Sequence, residues 1–369
     1  MNFDFSEEQN LLREQARRFL SENAEGKARS ILEGDDPFDR DLWRGMAELG
    51  WMGTVIPEEY GGIGLTHEDL CVLAEEIGRS LAPTPFSSSV YLATEALLLA
   101  GSEEQKADCL PRAASGDVIG CFAVTEGIKK SSPENIETIF ADGKLTGEKH
   151  PVADGDVADF AIVLARTPAG EPVLTITLLD DVTCEPMDTV DPSRSHGKLR
   201  FNGTPASILG NIGDGWVLAE RLLDRAAVLL AFEQVGGAQR CLEMAVDYAK
   251  NRFAFGRPIG SFQAIKHKLA DVFIATELAR SHTYYGAWAL STDAPDLPVA
   301  AAAARVAASR AFYLASSENI QTHGGMGFTW ELDCHLYYRR AKLLNLALGG
   351  ERRWKHKLVS RLENRNVAA

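Results

Sequence analysis

Arg252-Phe253-Ala254-Phe255-Gly256-Arg257-Pro258-Ile259-Gly260-Ser261-Phe262-Gln263 lies between two long stretches of helical period, Trp216–Arg252 and Ser261–Ser291. Two more such stretches follow, Leu297–His323 and Leu332–Glu363, so the second half of the chain reads as a bundle of four long helices. Upstream the signal changes. Val118–Thr125, Glu137–Phe140, Leu145–Gly147, Phe160–Ala165 and Val173–Leu179 are short β-rich runs broken by Asp-Gly, Ala-Gly and Pro turns. They predict a small antiparallel barrel or sandwich, which Lys198–Asn202 and Ala206–Leu209 extend. Further upstream the pattern is helical again. Ser6 followed by Glu7 and Glu8 makes an N-cap with an acidic first turn, and Pro83-Thr84-Pro85 stops a helix begun at Glu68. The fold class is therefore α+β and multidomain: helices over 1–117, a β-domain over 118–212 and a four-helix bundle over 213–369.

Composition narrows the function without choosing it. The 369 residues carry 38 Lys+Arg against 52 Asp+Glu, a net charge of −14 that disfavours nucleic acid or an anionic membrane surface as partner. Hydrophobic residues at 45% are enough for a sizeable core. Six scattered cysteines with no CxxC spacing suggest reduced thiols, neither a disulfide framework nor a metal site. The N-terminal stretch is charged throughout, and the apolar run Val299–Ala308 is short and alanine-rich, so the expectation is a soluble, cytoplasmic protein.

Three further strings join the opening one: Gln321-Thr322-His323-Gly324-Gly325-Met326-Gly327-Phe328-Thr329-Trp330-Glu331, Ile56-Pro57-Glu58-Glu59-Tyr60-Gly61-Gly62, and Thr125-Glu126 at a strand end. In order and spacing the four resemble the acyl-CoA dehydrogenase family over essentially the whole chain. The resemblance implies FAD as cofactor, an acyl-CoA thioester as substrate, and an electron-transfer flavoprotein as acceptor. It also implies a dimer or tetramer, and a carboxylate base that removes an α-proton while the β-hydrogen leaves as hydride. Arg252 would then face the FAD pyrophosphate of a neighbouring subunit, flanked by Phe255 and Gln263. Gln321, Gly324 and Gly325 would meet the adenosine end, and Gly350 joins the same set. Phe122, Val124, Thr125 and Ser131 would line the flavin from the β-domain. His323 and His335 read as packing residues on bundle helices.

The departures from the family pattern are as informative. Counted without gaps, the usual C-terminal base falls on Leu348, and the alternative position on the first bundle helix falls on Ala226, with Ala227 at the neighbouring arginine. In the flavin-facing string Gly127 replaces a proline and Ser132 an aspartate; Pro151-Val152-Ala153 replaces Trp-Ile-Thr. Three explanations stand. The chain is one subunit of a heteromeric dehydrogenase whose homologous partner brings the base. Alternatively, a relocated carboxylate acts, Asp224 or Glu233, the latter set among Leu229, Leu230, Ala231 and Phe232 where desolvation suits a base, or equally a buried structural hydrogen bond. Glu351 is the weaker candidate, a helix-cap acid. Finally, the chain is a non-catalytic partner that stabilises or completes the FAD site of a homologous dehydrogenase. Whichever holds, the backbone N–H at Leu348 still offers the donor that the family sets against the thioester carbonyl.

Overall fold

The structure, a computed structural model, describes residues 5–128 and 131–368. These gather into two compact units that alternate along the sequence: one built from the residues up to Glu33, His67–Ala82 and everything from Ala227 on, the other from Gly34–Thr66 and Pro83–Ala226.

The first unit is helical. Its opening helix, Glu7–Asn23, starts as the sequence predicts: the Ser6 hydroxyl accepts the Gln9 N–H at 3.2 Å and the Gln9 side chain accepts the Ser6 N–H at 3.0 Å, a reciprocal cap. Helix His67–Ser80 is almost wholly buried from Leu70 to Gly78. It crosses helix Gly215–Asn251 with backbones touching. A Cβ on Gly78 would lie 1.8 Å from the Glu233 carbonyl oxygen, and one on Gly236 would lie 1.8 Å from that of Glu75, so only glycine allows the crossing. Helices Gln263–Ser291 and Leu297–His323 pack through small residues, with Ala279, Ala304, Ala308 and Ala311 closing on Ala231 and Val235. The expected single helix Leu332–Glu363 is instead two, Cys334–Leu346 and Glu351–Ala368. Between them Leu348 and Gly349 take left-handed backbone, φ +58° and +94°, which no continuous α-helix can contain.

The second unit carries helices Arg40–Glu48 and Glu103–Ala114 and one eight-stranded sheet. From edge to edge the strands run Thr183–Pro186, His196–Pro205, Lys144–Ala153, Ile139–Ala141, Phe160–Arg166, Pro172–Leu178 and Ser207–Leu209; Gly120–Ala123 joins Phe160–Arg166 in parallel. Most neighbours pair antiparallel, as the alternating runs predict. Thr183–Pro186 is a strand the sequence does not announce. It lacks alternation and is held by the register Cys184 to Leu199. Phe140, Leu145, Val163, Leu199 and Phe201 form the core of this domain. The stretch Ser87–Thr94 is wound as a π-helix, and Ser88, Ser89 and Tyr91 on it are all buried.

Candidate functional site

The expected cofactor contacts fall in both units. In the first, Phe253–Ala254 and Arg257–Pro258 pair as a minimal hairpin whose two turn residues, Phe255 and Gly256, sit at φ +53° and +79°. The turn leaves Phe255 97% exposed, an unusual posture for a large apolar residue in left-handed backbone. Beneath it the Arg257 guanidinium lies 4.0 Å from the centre of the Phe262 ring, so the hairpin is anchored on the residue that precedes helix Gln263–Ser291. Arg252 is exposed and, among the described residues, makes no ion pair; its carbonyl accepts the Ile259 N–H at 2.8 Å, which fixes its backbone at the hairpin's foot. Gln263 and Gln321 are exposed.

Helix Leu297–His323 ends at Gly324, φ +63° and ψ −136°, a conformation that essentially only glycine adopts. A Cβ on Gly324, Gly325 or Gly350 would meet nothing within 4 Å, so each leaves bare backbone open to a ligand. The Arg252 guanidinium and the exposed glycine backbone are each suited to meet a pyrophosphate, so the residues present fit FAD at this end. His323 is a packing residue here: its Nδ1 lies 2.8 Å from the Asn319 carbonyl and its ring rests on Tyr248.

In the second unit, Phe122 is buried, while Val124, Thr125 and Ser131 are half-buried. The Thr125 carbonyl accepts the His150 N–H at 2.8 Å and Gly127 N–H donates to the His150 carbonyl at 2.7 Å, which splices the loop to the sheet. The Thr125 hydroxyl itself makes no hydrogen bond among the described residues. Gly127 has φ +77°, which a proline ring cannot reach, so the loop takes a different path from the proline-bearing family string. The neighbouring Glu126 is a clamp. It accepts from Glu137 N–H, from the N–H and hydroxyl of Thr138, and from the wholly buried Lys149 at 2.6 Å. Burial pulls the Lys149 ammonium down to about 8, with Glu126 opposing the shift, while the carboxylate is held below its usual range by Lys149 and Thr138 despite burial. A shallow pocket here is lined by Val124, Ser131, Ser132, Ile136 and Trp216. Trp216 thus brings an indole to this pocket.

The carboxylates that the sequence offers as bases are all engaged or enclosed. Glu233 is completely buried, with Oε1 3.7 Å from Nη1 of the equally buried Arg340. Asp224 is 4% exposed and sits beside Arg225, whose guanidinium is bonded to the buried Glu95. Glu351 accepts from Arg310 at 2.7 Å and from Lys355 at 2.5 Å. Ala226 is buried and Leu348 half-buried, in the left-handed turn between the last two helices.

That turn rests on a residue the sequence reading passes over. Arg305, 1% exposed, donates through Nη2 to the carbonyls of Leu344 and of Ala347, the latter at 2.8 Å, and through Nη1 to Gln234 and, at 3.2 Å, to Ser309. Burial lowers its pKa to about 9 against the field of Glu233, and the delocalised guanidinium stays charged at neutral pH. An arginine placed directly after the run Ala300-Ala301-Ala302-Ala303-Ala304 and before Val306-Ala307-Ala308 is the signal that could have found it: a charge amid small apolar residues has to be buried with partners.

Helices before and after a β-domain, with an exposed hairpin and Gly-Gly corner in one unit and a small pocket of mixed polarity at a strand end in the other, fit a flavin-dependent dehydrogenase of acyl thioesters. Comparison with known proteins agrees. Residues 6–117 match the N-terminal domain of acyl-CoA dehydrogenases and residues 213–353 their C-terminal domain. Acyl-CoA dehydrogenase IpdE2 of Mycobacterium tuberculosis is 36% identical over 91% of this chain and 91% of its own length. Among solved structures, the Tcur3481-Tcur3483 steroid acyl-CoA dehydrogenase superposes with a TM-score of 0.89 at 30% identity, over 98% of this chain and 99% of that one. The ChsE4-ChsE5 complex from Mycobacterium tuberculosis matches equally well, 0.89 at 28% identity over the same shares. The chain belongs to the acyl-CoA dehydrogenase family, FAD-dependent oxidoreductases acting on the CH–CH bond of acyl-CoA.

Proposed function

We propose that this chain is one subunit of a two-chain acyl-CoA dehydrogenase that introduces a trans-2,3 double bond into a CoA thioester of steroid or fatty-acid breakdown, its homologous partner supplying the base. The observation that carries this reading is the pair of apolar residues, Leu348 and Ala226, at both places where the family keeps a glutamate, on a scaffold that retains the cofactor-facing hairpin and Gly-Gly corner. The similarity to proteins named as two-component assemblies, one of them a steroid dehydrogenase, supports it. The engagement of Glu233 by Arg340 favours its structural role over a relocated base.

When bound, FAD supplies the hydride acceptor. This chain contributes the Arg252 cation and bare glycine backbone for the cofactor's phosphates, Thr125 and Trp216 beside the ring, and the Leu348 N–H as donor to the thioester carbonyl, where negative charge develops as the α-proton leaves. An electron-transfer flavoprotein is the acceptor that would return the flavin to its oxidised state. The second reading, a partner that completes a cofactor site without turning over substrate at its own Leu348 turn, shares the same central observation.

The experiment is purification of the chain alone and after co-expression with a glutamate-bearing homologue, with flavin absorbance and acyl-CoA-dependent dye reduction recorded for each. The chain alone should not reduce dye, and the pair should. A yellow, active homo-oligomer would overturn the reading. Leu348→Glu then separates the two alternatives: a gain of about tenfold or more in turnover, the lower range for a positioned base, indicates an otherwise complete site, and no gain favours the non-catalytic partner.

A further inference from the structure

Helix Cys334–Leu346 ends without the usual glycine cap, and the carbonyls of its last turn are disposed of in an uncommon way. Leu343 O accepts from Ala347 N–H at 3.0 Å and Leu346 O from Gly349 N–H at 3.1 Å. Leu344 O, which in a continuing helix would accept the Leu348 N–H, is taken by the Arg305 guanidinium, which also holds Ala347 O. The Leu348 N–H is thereby left with no hydrogen-bond acceptor among the described residues, on a leucine forced into left-handed backbone. Arg305 reaches these carbonyls from helix Leu297–His323 and is itself braced by Gln234 and Ser309, so the brace ties three helices of one unit to the turn. Its cation at the helix's C-terminal end also complements the helix dipole.

We propose that Arg305 is a positioning residue: by occupying the Leu344 and Ala347 carbonyls it breaks the helix at Ala347, denies the Leu348 N–H its intrahelical acceptor, and holds that N–H ready for an acyl thioester carbonyl. An amide N–H without an acceptor on a half-buried residue is unfavourable in the ligand-free protein, and the arginine's multiple charge-assisted hydrogen bonds are what hold the turn in that state. The proposal rests on the reading of Leu348 N–H as the carbonyl donor, and it adds the device that makes the donor available.

The test is amide hydrogen exchange of the Leu346–Gly350 segment in the flavin-loaded protein, alone or with its partner subunit. It compares an acyl-CoA thioester with the matching S-alkyl-CoA thioether, which lacks the carbonyl. In the wild type the thioester should slow exchange at Leu348 about tenfold more than the thioether does, the effect of one added hydrogen bond. Arg305→Met should abolish that difference while leaving thioether binding, followed by calorimetry, within about twofold. No difference in the wild type would overturn the carbonyl-donor reading and this proposal with it. A difference that survives in Arg305→Met would leave the donor reading standing and overturn the role of Arg305 alone. Equal weakening of thioester and thioether binding would also overturn it, since that is what a merely structural residue produces. Should Arg305→Met fail to fold, Arg305→Lys keeps the charge but cannot span two carbonyls as a planar fork; it should retain only part of the difference, and full retention would sink the proposal.

Discussion

At the scale of single residues, the chain separates two properties that a glutamate in this fold would combine: a side-chain base and a backbone donor. On the proposed reading Leu348 keeps the second and discards the first, while Glu233, the carboxylate best placed by sequence spacing, lies 3.7 Å from the buried Arg340. Glu233→Gln should therefore cost stability, up to about 3 kcal/mol, because it removes a charge from a buried ion pair with Arg340. It should leave turnover of the folded protein, assayed with its proposed partner, unchanged. Denaturant midpoints and dye reduction on the same preparation check both halves, and a fold-intact variant with collapsed turnover would restore the relocated base. The neighbourhood of Glu233 among apolar residues was readable in the sequence. Its partner was not, because Arg340 lies on a helix more than a hundred residues away and nothing local to either residue announces the pair.

At the scale of elements, charged groups do the joining where the chain lacks regular pairing. Glu126 and Lys149 pin the loop after strand Gly120–Ala123 to strand Lys144–Ala153. The sign of the pH effect follows from burial. Lys149 in the folded protein gives up its proton near 8, whereas an unfolded lysine holds it to about 10.4. Between those values the unfolded chain binds more protons, so this group makes stability rise with pH across the window, by up to about 3 kcal/mol, and contributes no further change above it. Lys149→Met should remove that rise and change stability little at pH 7, since Glu126 keeps its three donors from Glu137 and Thr138. Unfolding curves of wild type and variant from pH 7 to 10 test it; parallel curves would refute it. Element identity was largely legible: the Ser6 cap, the alternating strands and the long bundle helices all announce themselves locally. The break at Ala347–Gly350 did not, because Leu348 carries no turn signature and the break is imposed by Arg305, 42 residues earlier in the chain.

At the scale of the whole molecule, helix Gln263–Ser291 leaves Phe273, Ile274 and Leu278 each more than half exposed, an apolar patch of the kind that marks association. Ile274→Glu should shift the assembled protein to smaller species in sedimentation velocity with its helical content retained; an unchanged oligomer would mean this face is not an interface. The two units also have a consequence in time. Helix His67–Ser80 belongs with residues that follow Ala227, and its Arg79 bonds Glu243, 164 residues further along. A ribosome adding 5–20 residues per second therefore exposes this helix roughly ten to thirty seconds before its packing surface exists. Meanwhile every residue of the β-bearing unit, whose last residue is Ala226, has already been made. A nascent chain of this protein thus carries all the residues of one unit while a helix of the other still waits for most of the surface that will bury it.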